Sequence, residues 1–332
     1  MTPTLEDVAQ RAGVSTATVS RCLNSPEKVV EATRTRVLAA VDALGYSPHF
    51  GARVMAAKRT NTIGAIIPTM ENAIFAEGLQ AFQETLSAAG YDLLLASSGY
   101  EPAREAQQIR SLVARGAEGL LLIGHERGPE ISGFLTQRGL PVVATWAHDP
   151  SAALPAVGFD NYAAMRALAD QVLALGHRRI GYITAPVAQN DRSRARLTAI
   201  HDAFAAPDGH VEVIEAPYGI EAGAEAFAQL MDLPQRPTAV MCANDVQAVG
   251  ALTQAREMGV RVPQDISLTG FDDMALSRVV QPALTTVRVP HNAMGRTAAE
   301  MLIGIIQTQE TPSSVCLSTQ VIPRASLGPP RP

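Results

Sequence analysis

Between Thr4 and Asn24 the sequence carries the one cluster of side chains whose types and spacing suit a specific chemistry. Thr16, Ala17, Ser20 and Arg21 fall on the outward face of a short helix that opens at Ser15. Hydroxyls and a helix N-terminus suit phosphate oxygens, and a guanidinium suits O6 and N7 of guanine in the major groove. Beneath that face the sequence meets the steric rule of a helix-turn-helix: small Ala9 where two helices touch, Gly13 in the turn, β-branched Val19 on the second helix. Val8, Ala12, Val14 and Cys22 fill the other inward positions. On local spacing alone, a three-helix protein-interaction module is the alternative. Enzyme chemistry has no comparable cluster. The seven histidines (His49, His125, His148, His177, His201, His210, His291) show no H-x-H or H-E-x-x-H spacing, and neither a G-x-S-x-G elbow nor a G-x-G-x-x-G after a strand occurs. Cys22, Cys242 and Cys316 are odd in number and far apart, which supports neither a disulfide framework nor a zinc cluster and predicts three buried, reduced thiols. The reading is therefore a non-enzyme with no cofactor and no metal.

The elements that must position these groups change character along the chain. Thr4 with Asp7 makes a capping-box-like start for a first helix that Gly13 stops, Ser15 opens a second, and a third spans about Glu31 to Leu44 with Val37, Leu38, Val41 and Leu44 on one stripe and Gly45 as its cap. The segment from Tyr46 to Thr60 has too little apolar surface to be a stable helix by itself and is expected to fold only against something else. After Asn61, apolar strands such as IGAIIP, GLLLI, RIGYIT and TAVMCA alternate with amphipathic helices closed by Gly90, Gly116, Gly176 and Gly259. That alternation predicts parallel sheets covered on both faces, arranged as two doubly wound lobes with a ligand crevice between them at the carboxyl ends of the strands. The Pro-rich end GPPRP is expected to be a disordered tail.

The chain has 332 residues, 47% of them hydrophobic, and a formal charge of -5, too long for one small core and too apolar for general disorder. The charge is unevenly spread. Residues 1–60 hold eight basic and five acidic side chains, a local excess of +3 within an acidic chain. A small anion-seeking module attached to a larger body fits this asymmetry. The opening residues MTPTLEDVAQRAG place acids where a secretory leader needs bases, and no run of about 18 apolar residues occurs, so the expectation is a soluble, cytoplasmic protein without membrane partners.

LEDVAQRAGVSTATVSRCLN followed by VVEATRTRVLAAVDALGYSP resembles the DNA-binding domain of the lactose/galactose repressor (LacI/GalR) family, and the resemblance continues through LALGHRRIGYI, CANDVQAVGAL, REMGVRVPQDISLTGFDD and PALTTVRVP. It covers nearly the whole chain. It implies an α/β protein: a helix-turn-helix domain (1–46), a hinge helix and linker (47–60), and a periplasmic-binding-protein-like core (61–323), followed by a tail (324–332). Within the core the first lobe takes about 61–158 plus 289–323 and the second about 159–288. Carried over residue by residue, Thr16, Ala17 and Arg21 face bases, and Thr4, Leu5, Ser15, Thr18, Ser20 and Asn24 lie near phosphates. Met55 stands where the family wedges a leucine from the hinge helix into the minor groove, and methionine is also an unstacking wedge.

The same resemblance matches Phe75, Arg196, Asn244 and Asp272 to positions that touch the effector, with Trp146 and Tyr218 on the crevice walls. For Asp160 and Asp245 helix capping is the stronger reading, and for Arg196 and Asp272 ligand contact. The segments IPTMENAIFAEGLQ, SSGYEPAREAQQI and VGFDNYAAM resemble the gluconate-responsive repressors more than the purine or galactoside ones, and Arg192, Arg194 and Arg196 suit a sugar acid. GFDD at 270–273 is the general family form. The expected partners are a double-stranded palindromic DNA operator, a sugar-acid or sugar effector and a second copy of the chain. The end RASLGPPRP lacks the leucine-heptad helix of the family's tetramers and so favours a homodimer. A free-standing sugar-binding receptor and a purine- or neutral-sugar-responsive regulator are the rival readings.

Overall fold

The computed structural model describes residues 3–47, 59–70 and 73–331, and its chain divides into two units, Met1–Asn61 and Thr62–Pro332. The expected hinge helix, Met55 included, lies outside the described residues.

In the first unit three helices, α1 (Leu5–Ala12), α2 (Thr16–Asn24) and α3 (Glu31–Leu44), enclose Val8, Ala9, Ala12, Val19, Cys22, Val37 and Ala40. The small and β-branched residues at the α1–α2 contact let the helix backbones approach, as the spacing requires. Gly13 and Gly45 end α1 and α3 in the left-handed region (φ 65° and 62°), where a Cβ would be strained. Leu38, expected on the inner stripe of α3, is exposed instead, and Ala40 takes the buried place.

The second unit contains two parallel sheets. Strands β1 (Thr62–Ile67), β2 (Asp92–Ser97), β3 (Gly119–Ile123), β4 (Val142–Thr145), β5 (Ala156–Gly158) and the late β11 (Val315–Cys316) form one sheet in the order β11-β5-β4-β3-β1-β2. Strands β6 (Arg179–Thr184), β7 (His210–Glu215), β8 (Ala239–Cys242) and β9 (Ser267–Thr269) form the other, in the order β7-β6-β8-β9. Central strands are buried along their whole length, which is why they read as continuous apolar runs. A two-stranded antiparallel ribbon, β10 (Thr286–Arg288) with β12 (Gln320–Ile322), joins the segments that cross between the lobes.

The helices over the sheets are α4 (Ala73–Ala88), α5 (Pro102–Ala114), α6 (Pro129–Arg138), α7 (Asn161–Ala174), α8 (Asp191–Ala203), α9 (Ile220–Met231), α10 (Asp245–Glu257), the short α11 (Ala275–Val279) and α12 (His291–Thr308). Helix α12 buries Met294, Ala298, Leu302 and Ile305 and packs along α4, returning the chain to the first lobe. Among the described residues no helix is long and apolar enough to cross a membrane.

Two expectations are corrected. Cys316 is exposed, because β11 is the edge strand of its sheet; Cys22 and Cys242 are buried. Residues 324–331 are not a disordered tail. Ser326 is fully buried, Gly328 accepts from His177 Nε2 at 2.8 Å, and Arg331 pairs with Asp265. Proline and glycine deny this segment a helix, but its polar groups find partners along the free edge of β9.

Candidate DNA-reading face and effector crevice

At the first unit's surface, Thr4 caps α1 through a capping box: its amide donates to Asp7 Oδ2 at 2.8 Å, and its Oγ1 accepts from the Asp7 amide at 3.3 Å. The Thr4 amide and the Thr4 hydroxyl, which also donates to Asp7 Oδ2 at 2.8 Å, hold the Asp7 carboxyl below the ordinary carboxylate range. Ser15 caps α2 by accepting from the Thr18 amide at 3.2 Å, and its hydroxyl meets that of Thr18 at 2.9 Å. Thr16, Ala17 and Arg21 are exposed along α2, and Asn24 Nδ2 donates to Ser20 Oγ at 3.3 Å. Leu5 is half-buried against the helical core. The structure thus brings nine of the ten residues expected to meet DNA onto α1, α2 and their caps; the tenth is Met55.

Between the two lobes, Phe75 from α4 and Trp146 after β4 meet edge to face, with ring centroids 5.2 Å apart. Gly78, one turn along α4, makes room for the indole: a Cβ there would lie 2.7 Å from its Cη2. The other wall is polar. Arg196 of α8 is buried, donates to the Ala243 carbonyl at 2.9 Å and lies 4.7 Å over the Phe271 ring. Tyr218 shares a 3.0 Å hydrogen bond with Ser193. Asp272 stands opposite, 4% exposed.

These five side chains, with Tyr100, Asn161 and Arg192, surround a cavity of about 20 Å3. It adjoins a wider one of about 500 Å3, to which Tyr100, Arg192 and Tyr218 also belong. The small cavity is bordered by buried polar atoms without a hydrogen-bond partner: Trp146 Nε1, a donor, and the acceptors Asn161 Oδ1 and Asp272 Oδ2. Burial pushes the Asp272 carboxyl well above the ordinary carboxylate range, against the pull of Arg196 and with a further push from Asp245. His291 Nε2 lies 3.9 Å from Asp272, and burial lowers that imidazole to about 4, so it is neutral at physiological pH. Donors and acceptors converge on a space walled by aromatic rings, as recognition of a hydroxyl-rich small molecule requires.

Asn244 does not join them. Its Oδ1 caps α10 by accepting from the Gln247 amide at 2.8 Å, while its buried Nδ2 has no partner. Capping therefore falls to Asn244 rather than Asp245, whose carboxylate takes the Met274 amide and the Thr286 hydroxyl, both at 2.7 Å. Asp160 caps α7 as expected. The three arginines of α8 diverge: Arg192 pairs with Asp191 at the cavity edge, Arg194 reaches across to Glu126, and Arg196 is the one buried. Tyr100 and Asn161 carry no sequence signal for the crevice, since each belongs to a loop or helix start whose local pattern reads as a turn or a cap.

The chain matches the model of bacterial regulatory proteins of the lacI family over residues 4–49 and that of a periplasmic binding protein-like domain over 169–327. It is 32% identical over 328 residues to the HTH-type transcriptional regulator GntR of Escherichia coli K12, covering 98% of each chain. The chain belongs to the lacI family. Another relative, the HTH-type transcriptional repressor CytR of the same organism, is 35% identical over 328 residues, covering 97% of this chain and 96% of that one. The Lac repressor dimer bound to operator and the anti-inducer ONPF superposes with a TM-score of 0.85 at 25% identity, covering 98% of this chain and 99% of that one. This lacI-family chain is accordingly a DNA-binding transcriptional regulator with an effector-binding core.

Proposed function

We propose that this regulator is a homodimeric, cytoplasmic repressor of sugar or sugar-acid metabolism genes, with gluconate or a close relative as its effector. It acts without catalysis, cofactor or metal. The observation that carries the reading is the unsatisfied set at the crevice, Trp146 Nε1, Asn161 Oδ1 and Asp272 Oδ2, beside the buried Arg196. Hydroxyls of a polyol chain satisfy both the donor and the acceptors, and the guanidinium clamps a carboxylate. Asp272 Oδ2 accepts from a ligand hydroxyl, its carboxyl held well above the ordinary carboxylate range by burial. Phe75 and Trp146 belong to one lobe, Arg196, Tyr218 and Asp272 to the other, so a ligand touching both sets favours one closure of the crevice. Its effect on DNA affinity is limited to its differential affinity for the two closures, typically about 1–3 kcal/mol.

On DNA, Thr16, Ala17 and Arg21 read bases while Thr4, Leu5, Ser15, Thr18, Ser20 and Asn24 approach phosphates. Two copies entering successive major grooves require a two-fold symmetric operator of about 14–20 base pairs. The helix-turn-helix unit favours this reading over a free-standing sugar receptor. Footprinting on the DNA upstream of the gene, with gluconate, 2-ketogluconate, 6-phosphogluconate, galactose, ribose and purines screened by thermal shift, tests it. The expected result is symmetric protection relieved by a sugar acid that also raises the melting temperature. An asymmetric half-site held by a monomer, or stabilisation by a purine alone, contradicts it.

A further inference from the structure

Asp272 and Asp273 both sit in the left-handed half of backbone space (φ 108° and 54°), where residues other than glycine persist only when their surroundings impose it. Several bonds impose it here. The Asp272 amide donates to the Val287 carbonyl at 2.8 Å, the Asp273 amide to Thr286 Oγ1 at 3.3 Å, and the Met274 amide to Asp245 Oδ2 at 2.7 Å. The strongest constraint is on the Asp273 carboxylate, whose side chain is 1% exposed and takes three guanidiniums, from Arg278, Arg288 and Arg324. Arg278 and Arg288 are about half exposed, at 58% and 49%, whereas Arg324 is 15% exposed. Solvated pairs contribute little and dehydrated forks much more.

Arg324 is itself immobilised. It donates to Ser277 Oγ at 3.0 Å and the Leu284 carbonyl at 2.8 Å, and its amide donates to Thr285 Oγ1 at 2.9 Å. The segment that follows is bound along β9: Ser326 exchanges bonds with Leu268, and the Gly328 amide donates to Ser267 Oγ at 3.0 Å, while Ser326 Oγ also accepts from the Thr285 amide at 2.8 Å. None of these groups borders the small cavity.

We propose that Arg324 and the C-terminal strap it anchors are a positioning device for Asp272: by gripping Asp273 they fix the strained turn that presents the Asp272 carboxyl to the crevice. The consequence for ligand binding rests on the reading of Asp272 as an effector contact; the consequence for the turn does not.

The test uses the full-length protein with Arg324→Ala and Arg324→Lys. In the ligand-free state, amide exchange at residues 272–274 rises about 10-fold or more in Arg324→Ala and is partly restored by lysine, while strands β1 and β6 keep their protection. Calorimetry with D-gluconate then shows weaker binding in Arg324→Ala and no further loss when it is added to Asp272→Ala, because the strap acts through that carboxyl. Unchanged exchange at 272–274, loosening spread evenly over the second lobe, or additive losses in the double variant would overturn the proposal. Should Arg324→Ala not fold, Arg324→Lys and Asp273→Asn carry the same comparison. Undiminished gluconate binding by Asp272→Ala removes the effector reading while the exchange result still decides the strap.

Discussion

The DNA-reading face and the effector crevice solve the problem of an absent partner in opposite ways. On α1, α2 and their caps the groups proposed to meet DNA are largely exposed or bonded to one another, and among the described residues of that unit no buried side-chain polar atom lacks a partner. Water serves them until DNA replaces it. In the crevice, Trp146 Nε1, Asn161 Oδ1 and Asp272 Oδ2 are buried and unpartnered, and the buried His291 imidazole lies beside Asp272. Groups left without a protein partner cost stability that bound water returns in part and a complementary ligand more fully. The contrast teaches that substitutions of the exposed side chains of α2 alter binding and leave folding alone, the helix caps Thr4 and Ser15 excepted, whereas those in the crevice alter both, and in opposite directions.

The largest effect that sharpens this contrast is acid sensitivity at His291. The unfolded chain takes up a proton near the ordinary value of 6.5, the folded one only near 4, so stability held above pH 6.5 is lost as pH falls through that window. Asp245, pushed up to about 7 by burial, works the other way over an overlapping range. The informative quantity is therefore the difference between variant and wild type. His291→Gln should gain about 3 kcal/mol relative to wild type between pH 7 and pH 4, measured by urea unfolding. A parallel pair of pH profiles would break the contrast.

Next in size, Asp272→Ala is expected to weaken effector binding by about 2–3 kcal/mol and to leave operator affinity intact, with ligand-free melting unchanged or higher. Calorimetry and thermal scans on the same preparation check both halves. On the other side, Arg21→Ala should lose about 1–3 kcal/mol on the specific operator, little on random DNA, and nothing in thermal stability. Thr4→Ala is the smallest effect: removing the capping box should cost about 1 kcal/mol of stability in the first unit, seen by chemical denaturation followed with α-helical circular dichroism.

How much of this was legible in the sequence follows the same division. The helix-turn-helix could be read because its determinants are local: Ala9, Gly13 and Val19 lie within eleven positions, and Thr4 and Asp7 cap the helix they open. Nine of the ten strands of the two sheets were legible as apolar runs; the two-residue edge strand β11 was not. Helices α6, α11 and α12 were not assigned, and none has a capping side chain; α12 follows Pro290 directly and draws its stability from packing on α4. The crevice itself was legible in the strand-helix alternation, but its residues only through family resemblance, since Phe75, Trp146, Arg196 and Asp272 are brought together by two sheets and their crossings. Asn244 was ambiguous for a related reason, since the same Asn-Asp pair offers a cap and a ligand contact, and only the fold shows that its Oδ1 takes the capping bond. The C-terminal strap was hidden because its partners, Leu268, Ser277 and Thr285, lie some forty or more residues away.

The single tryptophan of the chain is Trp146, buried in the crevice with its indole nitrogen unpartnered. Its fluorescence can therefore report the crevice while labelled operator DNA reports the first unit in the same cuvette. Titrating the operator complex with D-gluconate should change both signals along one saturation curve, and Asp272→Ala should abolish both together. Release of DNA without any change at Trp146, or a change at Trp146 that leaves operator affinity untouched, would contradict the claim that occupancy of this crevice controls DNA binding.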